Sequence, residues 1–291
     1  MSPIWPVAKD TVREMSRKKL LLAIIVAGIF TAILFATGVA VVPMAGERVV
    51  TGLSQGQQAS PEVMASMITQ FNEKGYNFLV TCFSIAIELI GTFLTILMFS
   101  TFLPTEIDRG TVKLIISKPV SRFQFIMGKF LGGVMIMAGY SVLMGGLQIL
   151  GSLYLTGKLD PPDRYCMVLL FCNLMLRGST AMAMSMIMRP VLSGVVSIFL
   201  SGDIFLLIAT LFSAKYIYYP SAILYYILPC YSLFQTRTMW FWNFLIALFS
   251  NYQPHALTLT DICYKTAYAL DVTIIMLAFT IILFNRKDLI Q

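Results

Sequence analysis

The chain has 291 residues, of which 58% are hydrophobic and 12% charged, roughly half the charged share of a soluble globular domain. Such a composition excludes a water-soluble enzyme and leaves no room for a separate soluble catalytic domain, while several apolar runs reach the roughly 20 residues a helix needs to cross a bilayer. The net charge of +7 is then assigned to membrane orientation and anionic headgroups, and no nucleic acid partner is expected.

Ahead of the first apolar run, Trp5, Ala8, Val12 and Met15 recur at spacings of three and four, with Lys9, Asp10, Arg13, Glu14 and Arg17 on the other faces. This periodicity predicts an amphipathic helix within 1–19 at the membrane interface. A basic anchor on the inner leaflet and a contact with a partner account for it equally well. The run from Leu20 to Val42 is 23 residues long, too long for the core of a cleaved secretory signal, so it is expected to be a retained first span.

Further spans are expected at Phe78 to Phe102, Phe130 to Leu155, Tyr165 to Met188, Val191 to Phe212 and Ala267 to Phe284. The fold class is therefore all-α: a polytopic membrane protein with six transmembrane helices, forming a single domain over 1–291. With both termini cytoplasmic, thirteen basic residues fall inside and seven outside, the asymmetry the positive-inside rule requires. The segment 213–266 is expected outside, where Pro220 and Pro229 interrupt one apolar stretch and a second is too short to span. Re-entrant or interfacial helices suit it, although two extra spans, making eight, also satisfy the charge rule.

Between the second and third spans, 104–122 is too short and polar to cross the membrane. Thr105 with Asp108 and Ser121 with Gln124 have the spacing of two helix-starting capping boxes, separated by Pro119. A short cytoplasmic helix from Glu106 to about Ser117 follows, bent at Gly110 and carrying Val112, Ile115 and Ile116 as an apolar strip. Such a helix at the mouth of two spans suits mechanical contact with a soluble partner.

Glu106, Asp108, Gly110, Thr111, Ser117, Lys118, Pro119, Val120, Ser121, Arg122, Gly128 and Lys129 together resemble the acidic cluster, Gly-Thr, Lys-Pro-Val-Ser-Arg and Gly-Lys of the ABC-2 type permeases. VAKDTVREMSRKKLL at the start and AYALDVTIIMLAFTIILFNRKDL at the end resemble the connecting helix and the last span of that family. The resemblance implies a coupling helix, with Glu106, Asp108, Gly110, Thr111, Val112, Ile115, Ile116, Pro119 and Arg122 contacting a separate ATPase subunit. It also implies a second permease subunit, as homodimer or heterodimer, around a translocation path. No Walker A sequence is present, since Gly128-Lys129 runs straight into Phe130 and forms no phosphate loop. ATP and Mg are therefore expected on the partner, and no cofactor in this chain.

Glu88, Arg177 and Asp203 each fall about halfway along a span, where a charge costs at least about 2.5 kcal/mol. They are expected to form an intramembrane polar network, lining the path or serving as a buried ion pair. Cys230 and Cys263 share the outer segment and are expected to form a disulfide, whereas Cys82, Cys166 and Cys172 lie within spans as packing residues. Met182, Met184, Met186 and Met188 alternate and so divide between opposite helix faces, and His255 is the only histidine. No metal site is expected. Gly128 and Gly132 predict a close helix contact.

The function these features suggest is that of a permease subunit of an ATP-driven exporter in the plasma membrane, not itself an enzyme. The alternative is a secondary transporter or channel driven by an ion gradient through the intramembrane charges.

Overall fold

The computed structural model describes residues 4–17, 20–54, 61–108, 121–156, 159, 161–199 and 258–286. Among them are eight helices and no strand: α1 (Ile4–Arg17), α2 (Leu20–Ser54), α3 (Pro61–Asp108), α4 (Arg122–Thr156), α5 (Pro161–Arg164), α6 (Cys166–Ser185), α7 (Pro190–Phe199) and α8 (Leu259–Arg286). Five are long and apolar enough to cross a membrane, through Gly28–Ala45, Leu79–Asp108, Arg122–Tyr154, Cys166–Ser185 and Leu259–Arg286. Of the expected span Val191 to Phe212, residues up to Phe199 are described, as α7. The rest of that span and the expected outer segment up to residue 257 lie outside the described residues.

Two helices run well past their expected limits. The 35 residues of α2 and 48 of α3 measure about 52 and 72 Å at 1.5 Å per residue, against a hydrocarbon core of about 30 Å. The two helices pack on each other, with the bare backbone of Gly38 receiving Leu79 and, in the α3 extension, that of Gly75 receiving Val42. Helix α8 starts at Leu259 rather than Ala267, since Thr258 caps it. The Thr258 N–H donates to Asp261 Oδ2 at 2.9 Å and the Asp261 N–H to Thr258 Oγ1 at 3.3 Å, a reciprocal arrangement that satisfies free donors of the first turn.

Helices α3, α4 and α6 meet at one aromatic knob. Phe99 of α3 is fully buried, and its ring fills a hole that only glycine leaves open, against Gly133 of α4 and Gly178 of α6. A Cβ on Gly178 would lie 2.7 Å from that ring. Phe102 and Phe130 flank it with centroids at 5.2 and 5.7 Å. Buried nearly all round, α6 forms the centre of the bundle. On α2, by contrast, Leu22, Val26, Ile29, Phe30 and Ile33 are exposed, as the hydrocarbon-facing side of a span should be.

One end of the bundle gathers α1, the end of α3, the start of α4 and the end of α8. The Arg122 Nη1 donates to the Asn285 carbonyl at 3.4 Å, and the rings of Phe125 and Phe284 lie 6.4 Å apart. The opposite end is closed by Asp163 of α5, fully buried, which accepts from Gln148 Nε2 at 3.2 Å and Ser152 Oγ at 2.6 Å.

Candidate functional site

Helix α1 does not lie alone on the membrane; it is packed into the bundle. Its inward stripe is Ala8, Thr11 and Met15, all buried, with the Thr11 hydroxyl satisfied by the Val7 carbonyl at 2.9 Å. Trp5, expected on the apolar face, is 60% exposed. What draws α1 in is the Gly128 and Gly132 pair on α4. A Cβ on Gly132 would stand 2.8 Å from the Ala8 carbonyl oxygen, and one on Gly128 would stand 3.0 Å from that of Ile4. Backbone cannot retreat from such contacts as a side chain can, so two glycines one turn apart make the groove that α1 occupies.

Beside this groove lies a buried ion cluster. Lys129 of α4 places its Nζ 2.9 Å from Glu14 Oε2 on α1 and 2.9 Å from Glu106 Oε1 on α3. The three side chains are 7%, 24% and 10% exposed, so water screens these pairs far less than it would at an open surface. One ammonium thus joins the amphipathic helix, the last turn of α3 and the second turn of α4.

The position of Glu106 differs from expectation. Thr105 and Asp108 do not start a new helix; α3 continues through Pro104 to Asp108. Propagating an existing helix fixes one residue per added bond, whereas a new start must nucleate. Glu106 and Asp108 consequently sit in the last turn of α3, where the helix dipole disfavours negative charge, and Lys129 offsets this for Glu106. The second expected start is present. The Ser121 N–H donates to Gln124 Oε1 at 2.9 Å and the Gln124 N–H to Ser121 Oγ at 3.2 Å, opening α4 at Arg122 with both capping bonds made. Gly110, Thr111, Val112, Ile115, Ile116 and Pro119 lie outside the described residues.

Of the intramembrane charges, Glu88 of α3 and Arg177 of α6 are linked through a residue with no formal charge. Asn173 Nδ2 donates to Glu88 Oε1 at 2.8 Å, while Arg177 Nε donates to Asn173 Oδ1 at 3.0 Å. An amide suits this place because it donates and accepts at once. Asp203 lies outside the described residues, as does Cys230; Cys263 is an exposed free thiol on α8. Met182 and Met186 are buried in the main core, and among the described residues no group of three metal-ligating side chains converges. An apolar groove of about 560 Å³, lined by Phe35, Phe83, Leu150 and Tyr154 among others, opens between α2, α3 and α4, and none of the expected polar residues lines it.

Two site residues escape sequence reasoning, Glu14 as a partner of Lys129 and Asn173 as the bridge. The signal for Asn173 was available, because it stands one helical turn before Arg177 on the same face. Comparison with curated proteins gives no match. The model of the ABC-2 family transporter proteins matches residues 5–289, which takes in α1, the ion cluster, the linked intramembrane charges and α8. On that match the chain belongs to the ABC-2 family of transporter proteins.

Proposed function

We propose that this chain is the permease subunit of an ATP-driven exporter, paired with a second permease subunit and driven by a separate ATPase subunit that binds ATP and Mg. Residues 109–120, docked on that ATPase, receive its motion, and substrate leaves across the plasma membrane.

The observation that carries this reading is the ion pair between Glu106 and Lys129 at 2.9 Å. These residues flank the segment 109–120 on either side, one at the end of α3 and one near the start of α4. A force applied between them therefore reaches both helices, and through Glu14 it reaches α1 as well. Glu88, Asn173 and Arg177, deeper in the bundle, form the polar lining that such movement displaces.

The test is reconstitution with the cognate ATPase. Gly110→Trp should leave the subunit inserted and paired but abolish transport and the stimulation of ATP hydrolysis, since a large side chain would hold the segment off its partner. Normal transport by this variant would refute the coupling role. Transport that follows an ion gradient and ignores ATP would favour a secondary transporter.

A further inference from the structure

The outward stripe of α1 is unlike its inward one. Trp5, Lys9, Arg13 and Arg17 recur every four residues, so they share one face over about 18 Å of helix. All four are exposed, and none of the three cations forms an ion pair among the described residues. Asp10 is the one acidic residue exposed on this helix. Five residues beyond Arg17 the exposed surface turns apolar, beginning with Leu22 and Val26 on α2. Phe123 on the first turn of α4, the helix that carries the α1 groove, is 50% exposed.

We propose that this stripe binds the headgroups of anionic phospholipids in the leaflet facing α1. The groups are those that one leaflet of a bilayer calls for: cations for the phosphate, an indole for the interfacial layer, and exposed aliphatic side chains on the next helix for the acyl chains. The acidic surface of a soluble partner would satisfy the cations but would leave Leu22, Val26 and Phe123 uncovered. Bound lipid would also keep α1 in its glycine groove, and so keep Glu14 within reach of Lys129. That regulatory consequence rests on the proposed coupling function, whereas the binding itself does not.

Trp5 reports the site directly once Trp240 and Trp242 are replaced by Phe. This single-tryptophan protein is reconstituted in phosphatidylcholine vesicles containing a small fraction of chain-brominated phosphatidylglycerol or chain-brominated phosphatidylcholine. Quenching should show a preference for phosphatidylglycerol of about tenfold, since each basic side chain near an anionic surface contributes substantially. Lys9→Gln with Arg13→Gln and Arg17→Gln should remove that preference while leaving quenching by the neutral lipid unchanged, as should 1 M salt. Equal quenching by the two lipids would overturn the proposal, and so would a preference that survives the triple substitution. If the tryptophan replacements disturb the protein, native mass spectrometry of the otherwise unaltered chain decides the same question. Phosphatidylglycerol should stay bound to it and be lost from the triple variant; equal retention by both would overturn the proposal.

Discussion

Lys129 shows how one side chain can hold three helices, and why sequence revealed only part of that. Its place in a Gly-Lys pair was visible, as was Glu106 in an acidic cluster. Glu14, however, lies 115 positions away and looked like any polar residue on the outer face of an amphipathic helix. Periodicity assigns a residue to a face; it carries no information on which distant charge that face will meet. The same limit hid Asn173, where attention went to formal charges although the amide makes both bonds. Lys129→Met should be severe, because it leaves Glu14 and Glu106 close together and half-desolvated without their cation, a loss of about 3 kcal/mol. Thermal unfolding in detergent would measure it. Adding Glu14→Gln and Glu106→Gln should recover most of the loss, since no uncompensated charge then stays buried, whereas an unchanged midpoint in Lys129→Met alone would show that the cluster is not structural.

At the scale of elements, helices that cross lipid were read well because a bilayer demands long apolar runs, and α4 and α6 lie within a few residues of expectation apart from the start of α4 at its Ser121 cap. Errors arose where polar residues decide. The spacing Thr-x-x-Asp occurs twice, at Thr105 and at Thr258, and only the second begins a helix. At Thr105 a helix was already running, and the cap had no free donors to satisfy. The α2 and α3 extensions were missed because hydropathy marks only the apolar part of a helix, whereas in the α3 extension Gly75 packs against Val42 of α2. The pairing of α1 with α4 was half visible, in that Gly128 and Gly132 predicted a close contact without naming its partner. Gly132→Leu tests that contact. With the Ala8 carbonyl 2.8 Å from the added Cβ, α1 must leave the groove while the rest of the bundle stays folded. Hydrogen exchange should then accelerate across residues 4–17 and change little in α6. Unaltered protection of α1 would mean that it is held by other contacts.

For the whole molecule, the decisive property is sidedness. Ion pairs and hydrogen bonds tie α1, the end of α3, the start of α4 and the end of α8 to a single end of the bundle. That end carries Lys9, Arg13, Arg17, Arg122, Lys129 and Arg286, against Arg48, Lys74, Arg164 and Lys265 among the described residues of the opposite end. The positive-inside rule predicts that this end faces the cytoplasm, as the proposed docking of residues 109–120 on an ATPase requires. Exposed positions are available at both ends: Ser16 on α1, and the native Cys263, a free thiol near the start of α8. In intact cells a membrane-impermeant maleimide should label a protein whose only cysteine is Cys263. It should fail to label one whose only cysteine comes from Ser16→Cys, and in inverted vesicles the pattern should reverse. The two sites are separated by helices that cross the membrane, so labelling of both from one side would contradict the fold. Labelling of the Ser16→Cys protein from outside alone would leave the fold intact but put residues 109–120 beyond the reach of any cytoplasmic ATPase, and the exporter function would fall with it.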